Sequence, residues 1–425
     1  MSVERLSRRS MLAGLLALGW RPNAGAVAQD MTLRISAMPS IFKPTFEQLG
    51  REYRRRHPQI GIELRTLARD QEDQLQTTLR QALIGELPDV SFEGLRYLRT
   101  LQRRRIGVPL RPLIDADGDW HGGGYSESLI RNSRVDGQIV GVSTAVSFPI
   151  VYYDADRIAD MLGREALPQD WDGLLQLVSA LGRGAKPGTL GGFLQHMDSC
   201  WTYMAVVSSL GGSMMNADES RLTLDDPAGL RALEVFAAFG RAGQGRMDMS
   251  REQARQAFAG GAIALLIDSS SSLTMLEKQI AGRFRLATAR VPIVANGRVP
   301  AGGIAAVVCA REPQRQAEAW RYVKFACGPL GQSIIGRTTG YLPSNDIAIQ
   351  RPDLLADYYR SRPLVQPVIE SLPYGEPWYA FPGRNAMKID AVIIDAVTSV
   401  VSLAKTPRDA AATLKRTIQR LLPAR

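Results

Sequence analysis

Between residues 31 and 92 the chain alternates short apolar runs with longer stretches whose apolar side chains recur every three or four positions. Leu33 to Ala37 reads as a strand and Lys43 to His57 as a helix with Phe46, Leu49 and Tyr53 on one stripe. Ile60 to Leu67 is a second predicted strand, Gln71 to Gly85 a second helix, and Pro88 to Phe92 a third strand that feeds another helix. That rhythm predicts an α/β fold built on a mainly parallel sheet with helices on both faces.

The middle of the chain carries the same alternation with punctuation. Val142 to Asp154 (VSTAVSFPIVYYD) is apolar and β-branched but holds Pro149, which a strand tolerates only at an edge, a start or a crossover; it is expected to cross between two domains. Asp170 stands as N-cap before a helix over Trp171–Leu181. Ile263 to Ser272 (IALLIDSSSS) predicts a buried strand that ends in hydroxyl residues. Val291 to Gly303 (VPIVANGRVPAGG) reads as a loop returning the chain to the first lobe. Ala317 to Cys327 is an amphipathic helix, followed by TTGYLPSN (Thr338–Asn345), a turn with a Gly for sharp chain reversal and a stiffening Pro343. A last helix begins at Thr406 as N-cap, with Pro407 in its first turn.

The ends and the composition narrow the class. Ser7 to Leu12 reads S-R-R-x-Met-Leu, a twin-arginine pattern, and Ala26-Val27-Ala28 supplies the small-x-small step of a cleavage site. Residues 1–28 are thus expected to be a twin-arginine signal peptide, with the mature chain starting at Gln29 in the periplasm. The rest of the 425 residues suffices for two cores. The net charge of +10 is spread along the chain. Its densest runs, Arg51–Arg56 and Gln102–Arg105, share helices with the stripes Phe46/Leu49/Tyr53 and Leu95/Leu98/Leu101, so they read as solvated faces rather than a nucleic-acid patch. Three cysteines (Cys200, Cys309, Cys327) allow one disulfide at most and read as buried thiols.

Catalytic signatures are missing from the sequence. It has no phosphate-cradling GxxxxGK[ST], no GxSxG elbow, no HExxH and no CxxC. His57, His121 and His196 stand apart without carboxylates at ligand spacing. Asp115, Asp117 and Asp119 alternate like the start of a calcium loop, but Trp120 occupies the position that needs Gly. No enzyme, metal or cofactor is implied.

Four blocks in order resemble a known family. FPIVYYDADRI with PQDWDGLL, FAGGAIALLIDSSSSL, PAGGIAAVV and TTGYLPSN are similar to blocks of the extracellular solute-binding proteins of bacterial ABC importers, nearest the glycerol-3-phosphate and related sugar-binding branch. The tail FPGRNAMKIDAVIIDAV continues the likeness. The resemblance implies a two-lobed, type II periplasmic binding protein fold with a hinged cleft that closes on ligand. Lobe 1 would comprise 29–145 plus 298–343, and lobe 2 would comprise 146–297 plus 344–425. It also implies a small sugar or polyol, or its anionic derivative, as ligand, an ABC permease and its ATPase as partners, and a monomer.

Candidate ligand residues follow from those blocks. Tyr341 can stack on or hydrogen-bond a polyol, or simply pack in its turn. Gly302 and Gly303 match a paired Gly whose bare N–H groups can approach a ligand, or make a tight turn. Ser269 and Ser270 end a strand where open α/β sheets place ligands, and could donate to it or cap the next helix. Ser147 aligns in the crossing segment, Glu93 follows the third strand as a hydroxyl acceptor, and Gln71 sits where the family often has an aromatic. Trp201 offers a stacking ring or a core residue. One departure stands out: the family's phosphate-pairing Arg falls at Asp390 here, which would repel phosphate. Arg384 could replace it, or Asp390 could accept from a neutral glycoside. A secreted carbohydrate-active enzyme or a ligand sensor of the same fold are the other classes.

Overall fold

Two β-sheets, each with its own hydrophobic core, organise the chain. The computed structural model describes residues 31–37, 43–66, 68, 70–125, 130–184, 188–197 and 200–423. The signal segment, Gln29 and the Leu67 end of the second predicted strand lie outside the described residues. In chain order the strands are β1 (Met31–Ser36), β2 (Ile60–Arg65), β3 (Val90–Gly94), β4 (Arg134–Val135), β5 (Gln138–Ile139), β6 (Val142–Ser147) and β7 (Pro149–Asp154). They continue with β8 (Phe193–Leu194), β9 (Leu265–Ser269), β10 (Leu286–Arg290), β11 (Val299–Val308), β12 (Leu342–Pro343) and β13 (Gly375–Pro377).

The larger sheet runs β12-β6-β11-β3-β1-β2, with β13 beside the first residues of β11; the smaller runs β10-β7-β9-β8. Pairs β1–β2 and β1–β3 are parallel, but β11 lies antiparallel to both β3 and β6, and β7 antiparallel to β9 and β10. The expectation of a mainly parallel sheet is therefore corrected: the sheets are mixed. The reason is connectivity, since β11 enters the larger sheet from the smaller one rather than through a helical crossover. The loop expected over Val291–Gly303 is likewise corrected in its second half, where Val299 to Gly303 open the ten-residue central strand β11.

The Pro-marked crossing is as the sequence suggests. β6 ends at Ser147 in one sheet and β7 begins at Pro149 in the other, with buried Phe148 between them. A second crossing leads from β10 through residues 291–298 into β11. Phe46, Tyr53, Phe92 and Tyr322 fill the core of the larger sheet, and Phe193, Phe236, Ile267 and Ile393 that of the smaller. Asp170 accepts from the Gly173 N–H at 2.8 Å and Thr406 from the Asp409 N–H at 3.2 Å, so both predicted caps form. Arg51, Arg54, Arg55 and Arg56 are exposed above the buried stripe of their helix, and all three cysteines are buried free thiols.

Candidate functional site

Strand ends from both sheets converge on one cavity of about 540 Å³. Ser147 closes β6 and lies in register with Gly302 of β11; Ser269 closes β9 and lies in register with Pro149. Gln71 reaches in from the first turn of the helix Gln71–Leu83, Trp201 from the start of the helix Trp201–Ser209, and Tyr341 from the turn before β12. Seven sequence candidates, Gln71, Ser147, Trp201, Ser269, Gly302, Gly303 and Tyr341, therefore share its walls.

Glycine is needed there for close approach. A Cβ on Gly302 would meet the Ser147 hydroxyl at 3.0 Å and the Trp201 ring at 3.1 Å, and Gly303 has φ +133° with Ala145 O 1.9 Å from where its Cβ would stand. The Gly303 carbonyl accepts from Gln71 Nε2 at 3.2 Å. Gly340 has a different role from the sharp turn expected of it: its φ is not positive, and a Cβ would meet the carbonyls of Ser271 and Ser270 at 2.7 and 2.8 Å. Its bareness lets the Tyr341 turn press against the Ser269–Ser272 segment.

Aromatic rings form part of the wall. Trp201 donates through Nε1 to Pro300 O at 3.1 Å, and its ring centroid lies 5.8 Å from that of Trp378. Burial pushes the Tyr341 phenol above its ordinary pKa, partly offset by a hydrogen bond with Ser271, so it stays a protonated donor at neutral pH.

Four candidates lie elsewhere. Glu93 is wholly buried under the helix Gln71–Leu83, where Ser91 Oγ and Thr78 Oγ1 donate to it at 2.5 and 2.6 Å; burial raises its pKa against those bonds. Ser270 is spent on the crossing, accepting from Phe148 N at 3.2 Å. Arg384 is exposed and outside the cavity wall. Asp390 is also behind the wall: it pairs with Arg96 at 3.3 Å and accepts from Cys200 Sγ at 3.2 Å. The carboxylate that was expected to face the ligand instead neutralises a cation that does.

Sequence reasoning missed that cation and its neighbours. Arg96, Tyr97, Arg251, Arg255, Ser271 and Trp378 line the cavity, with Asp70, Glu72 and Glu252. The Arg96 guanidinium sits 4.5 Å from the Tyr97 ring centroid and 5.3 Å from that of Trp378. Arg251 and Arg255, one helical turn apart, both bind the buried Asp268: Arg251 Nη2 at 2.6 Å and Arg255 Nε at 2.7 Å. Burial alone would raise the Asp268 pKa, but the two guanidiniums outweigh it and hold it at about 2. An Asp ending an otherwise apolar strand, IALLID, was the available signal: it needs a cationic partner. Arg96 and Trp378 also border a second cavity of about 360 Å³, whose wall includes Arg99, Glu219 and Tyr379. Among the described residues no group of three or more His, Cys, Asp or Glu side chains is placed to hold a metal ion.

A cleft lined by strand ends of two sheets, with rings and polar groups together, has the make-up of a ligand site. The family of bacterial extracellular solute-binding proteins matches residues 48–359. The chain belongs to this family. It is a solute-binding protein, not an enzyme, and its fold is that of two-lobed periplasmic binding proteins. UgpB from Mycobacterium tuberculosis, solved with glycerophosphocholine, superposes with a TM-score of 0.79 at 19% identity, covering 92% of this chain and 98% of that one. MalE, a sugar-binding protein from Xanthomonas citri, gives 0.78 at 16% identity, covering 92% and 97%. A solute-binding protein from Agrobacterium radiobacter, solved with ribitol, gives 0.74 at 16% identity, covering 93% and 99%. No curated protein matches the chain by sequence. Membership implies export, and among the described residues no helix is long and apolar enough to cross a membrane.

Proposed function

We propose that this solute-binding protein is the capture component of an ABC importer, taking a sugar, polyol or glycerol-containing solute into the cavity between its two sheets. Residues 29–145 with 298–343 and residues 146–297 with 344–425 would form the two lobes, closing on the solute by hinge bending at the Phe148 and 291–298 crossings. The closed form would deliver its solute to a membrane permease and ATPase. The protein would work as a monomer in the periplasm, exported by the twin-arginine route that residues 7–12 suggest.

The observation that carries this reading is the pair Trp201 and Trp378, with centroids 5.8 Å apart, beside the hydroxyls of Ser147, Ser269 and Tyr341. Rings stack on the apolar faces of a sugar or polyol while hydroxyls and backbone groups serve its oxygens. The solutes of the structural neighbours, glycerophosphocholine and ribitol, are both polyol-containing, which supports the same class.

A thermal-shift panel of neutral mono- and disaccharides, ribitol, glycerol 3-phosphate and glycerophosphodiesters tests it. A ligand at a hundred times its Kd adds about 2.7 kcal/mol to the folded state, so a clear rise in Tm is expected with at least one compound. Trp201→Ala should abolish that rise. A flat response across the panel, or turnover of any compound, would overturn the reading.

A further inference from the structure

Charge is distributed unevenly around the cavity. On one side the helix Arg251–Ala259 presents Arg251 and Arg255, four residues apart and so on one face. Their side chains are 27% and 12% exposed, and both are tethered to the one carboxylate of Asp268, whose side chain is 1% exposed. Two guanidiniums thus share one buried negative charge. Glu252 also lies 3.8 Å from Arg255 Nη1, but its side chain is 54% exposed, where water screens it. Asp70 and Glu72 line the cavity at the start of the helix Gln71–Leu83, where Asp70 is engaged as its N-cap.

Hydroxyl donors flank the two guanidiniums. Ser269 Oγ and Ser271 Oγ lie 2.9 Å apart on the cavity wall, and the protonated Tyr341 phenol hydrogen-bonds Ser271. A fixed guanidinium pair with hydroxyl donors beside it suits the planar or tetrahedral oxygens of a carboxylate, sulfonate or phosphate. Asp268 holds both side chains in place before any ligand arrives, so binding costs little rotamer freedom.

Resting on the solute-capture reading, we infer that the solute carries an oxyanion, a phosphate, sulfonate or carboxylate on a polyol or sugar body, seated between Arg251, Arg255 and the Ser269, Ser271 and Tyr341 hydroxyls. The body of the solute then lies toward Trp201 and Trp378. Asp390 does not oppose this, because it neutralises Arg96 behind the wall.

Matched pairs decide the matter by calorimetry on the protein from Gln29 onward in 150 mM NaCl: glycerol 3-phosphate against glycerol, glucose 1-phosphate against methyl glucoside, 6-deoxy-6-sulfoglucose against glucose, and glucuronate against glucose. In at least one pair the anionic member is expected to bind about 100-fold more tightly, the scale of a desolvated charged hydrogen bond. Arg255→Gln and Arg251→Gln should each erase that preference, with Tm recorded to show that the variants fold. The preference of the unaltered protein stands as a test even if a variant does not fold. Equal or tighter binding of the neutral member in every pair would overturn the inference and leave solute capture intact. No binding by either member of any pair would overturn the inference, and solute capture would fall with it only if the wider thermal-shift panel were also flat.

Discussion

The two arginine corners of the cavity differ in how their charge is held. At one, Arg251 and Arg255 share Asp268, and all three residues belong to segments that pack in the core of the smaller sheet, beside Ala254, Phe258 and Ile267. At the other, Arg96 stands between Leu95 and Tyr97, which pack with Leu98 and Val307, while its partner Asp390 follows Ile389 of the smaller sheet's core. The first corner lies wholly beside the smaller sheet's core, whereas the second joins a residue beside the larger sheet to one beside the smaller. If the lobes close as proposed, a ligand finds the first corner ready in the open cleft, whereas the second forms on closure.

The largest effect that would break this contrast is on stability. Asp268→Asn leaves two poorly exposed guanidiniums without their counter-charge and is expected to cost about 3–5 kcal/mol. Asp390→Asn should cost less than about 1 kcal/mol at neutral pH, because burial already disfavours the charged carboxylate and Arg96 keeps its ring contacts with Tyr97 and Trp378. Urea unfolding of both variants measures the difference. Equal losses would mean that the two corners are equally structural, and the distinction between a preformed corner and a closing one would fail.

Acid sharpens the same comparison with opposite signs. The Asp268 pKa of about 2 lies below an unfolded value of about 3.9, so its contribution is present above pH 3.9 and is lost as pH falls toward 2. The shift corresponds to roughly 2–3 kcal/mol. Burial raises the Asp390 pKa, against the pull of Arg96. Its folded form therefore binds a proton more readily than the unfolded chain, and ionising it costs stability above its folded pKa. Asp268→Asn should flatten the acid limb of a stability–pH curve, and Asp390→Asn should steepen it. Identical slopes in the two variants would contradict the assignment.

How far the sequence discloses such a site depends on what kind of group is involved. Residues that act through the backbone or close a strand, such as Ser147, Ser269, Gly302 and Gly303, were legible, because strand ends and bare glycines are local features. Trp201 and Tyr341 were legible through the blocks that carry them. The arginines were not. In a chain with 52 basic residues, REQAR reads as one more solvated helix turn, and only the buried Asp268 distinguishes it. Arg96, Trp378 and Asp390 are brought together from three distant segments, which no local pattern anticipates. Asp390, expected to face the ligand, pairs instead with Arg96 and does not line the cavity, because its partner comes from a distant segment. The antiparallel setting of β11 escaped for the same reason: its direction is decided by where the chain has been, not by its own residues.

The smallest expected effect lies at the rim of the second cavity, where Arg99 reaches Glu219 with two bonds of 2.7 Å. The Glu219 carboxylate also accepts from Tyr379 Oη at 3.0 Å, and Asp136 lies 3.5 Å from Arg99. Like Arg96, Arg99 ties the region of the larger sheet to a loop of the smaller, but with a partner about one-third exposed, so Glu219→Gln should cost under about 1 kcal/mol. Backbone geometry makes the test sharper. Glu219 holds φ +55°, a conformation that costs a residue with a Cβ on the order of 1 kcal/mol and glycine very little. Glu219→Gly loses the same ion pair yet relieves that strain, so it should be at least as stable as Glu219→Gln. A glycine variant clearly less stable than the glutamine one would show that the loop is held by more than its carboxylate. The rim contact would then rank with the Arg96 corner as a closing contact rather than below it.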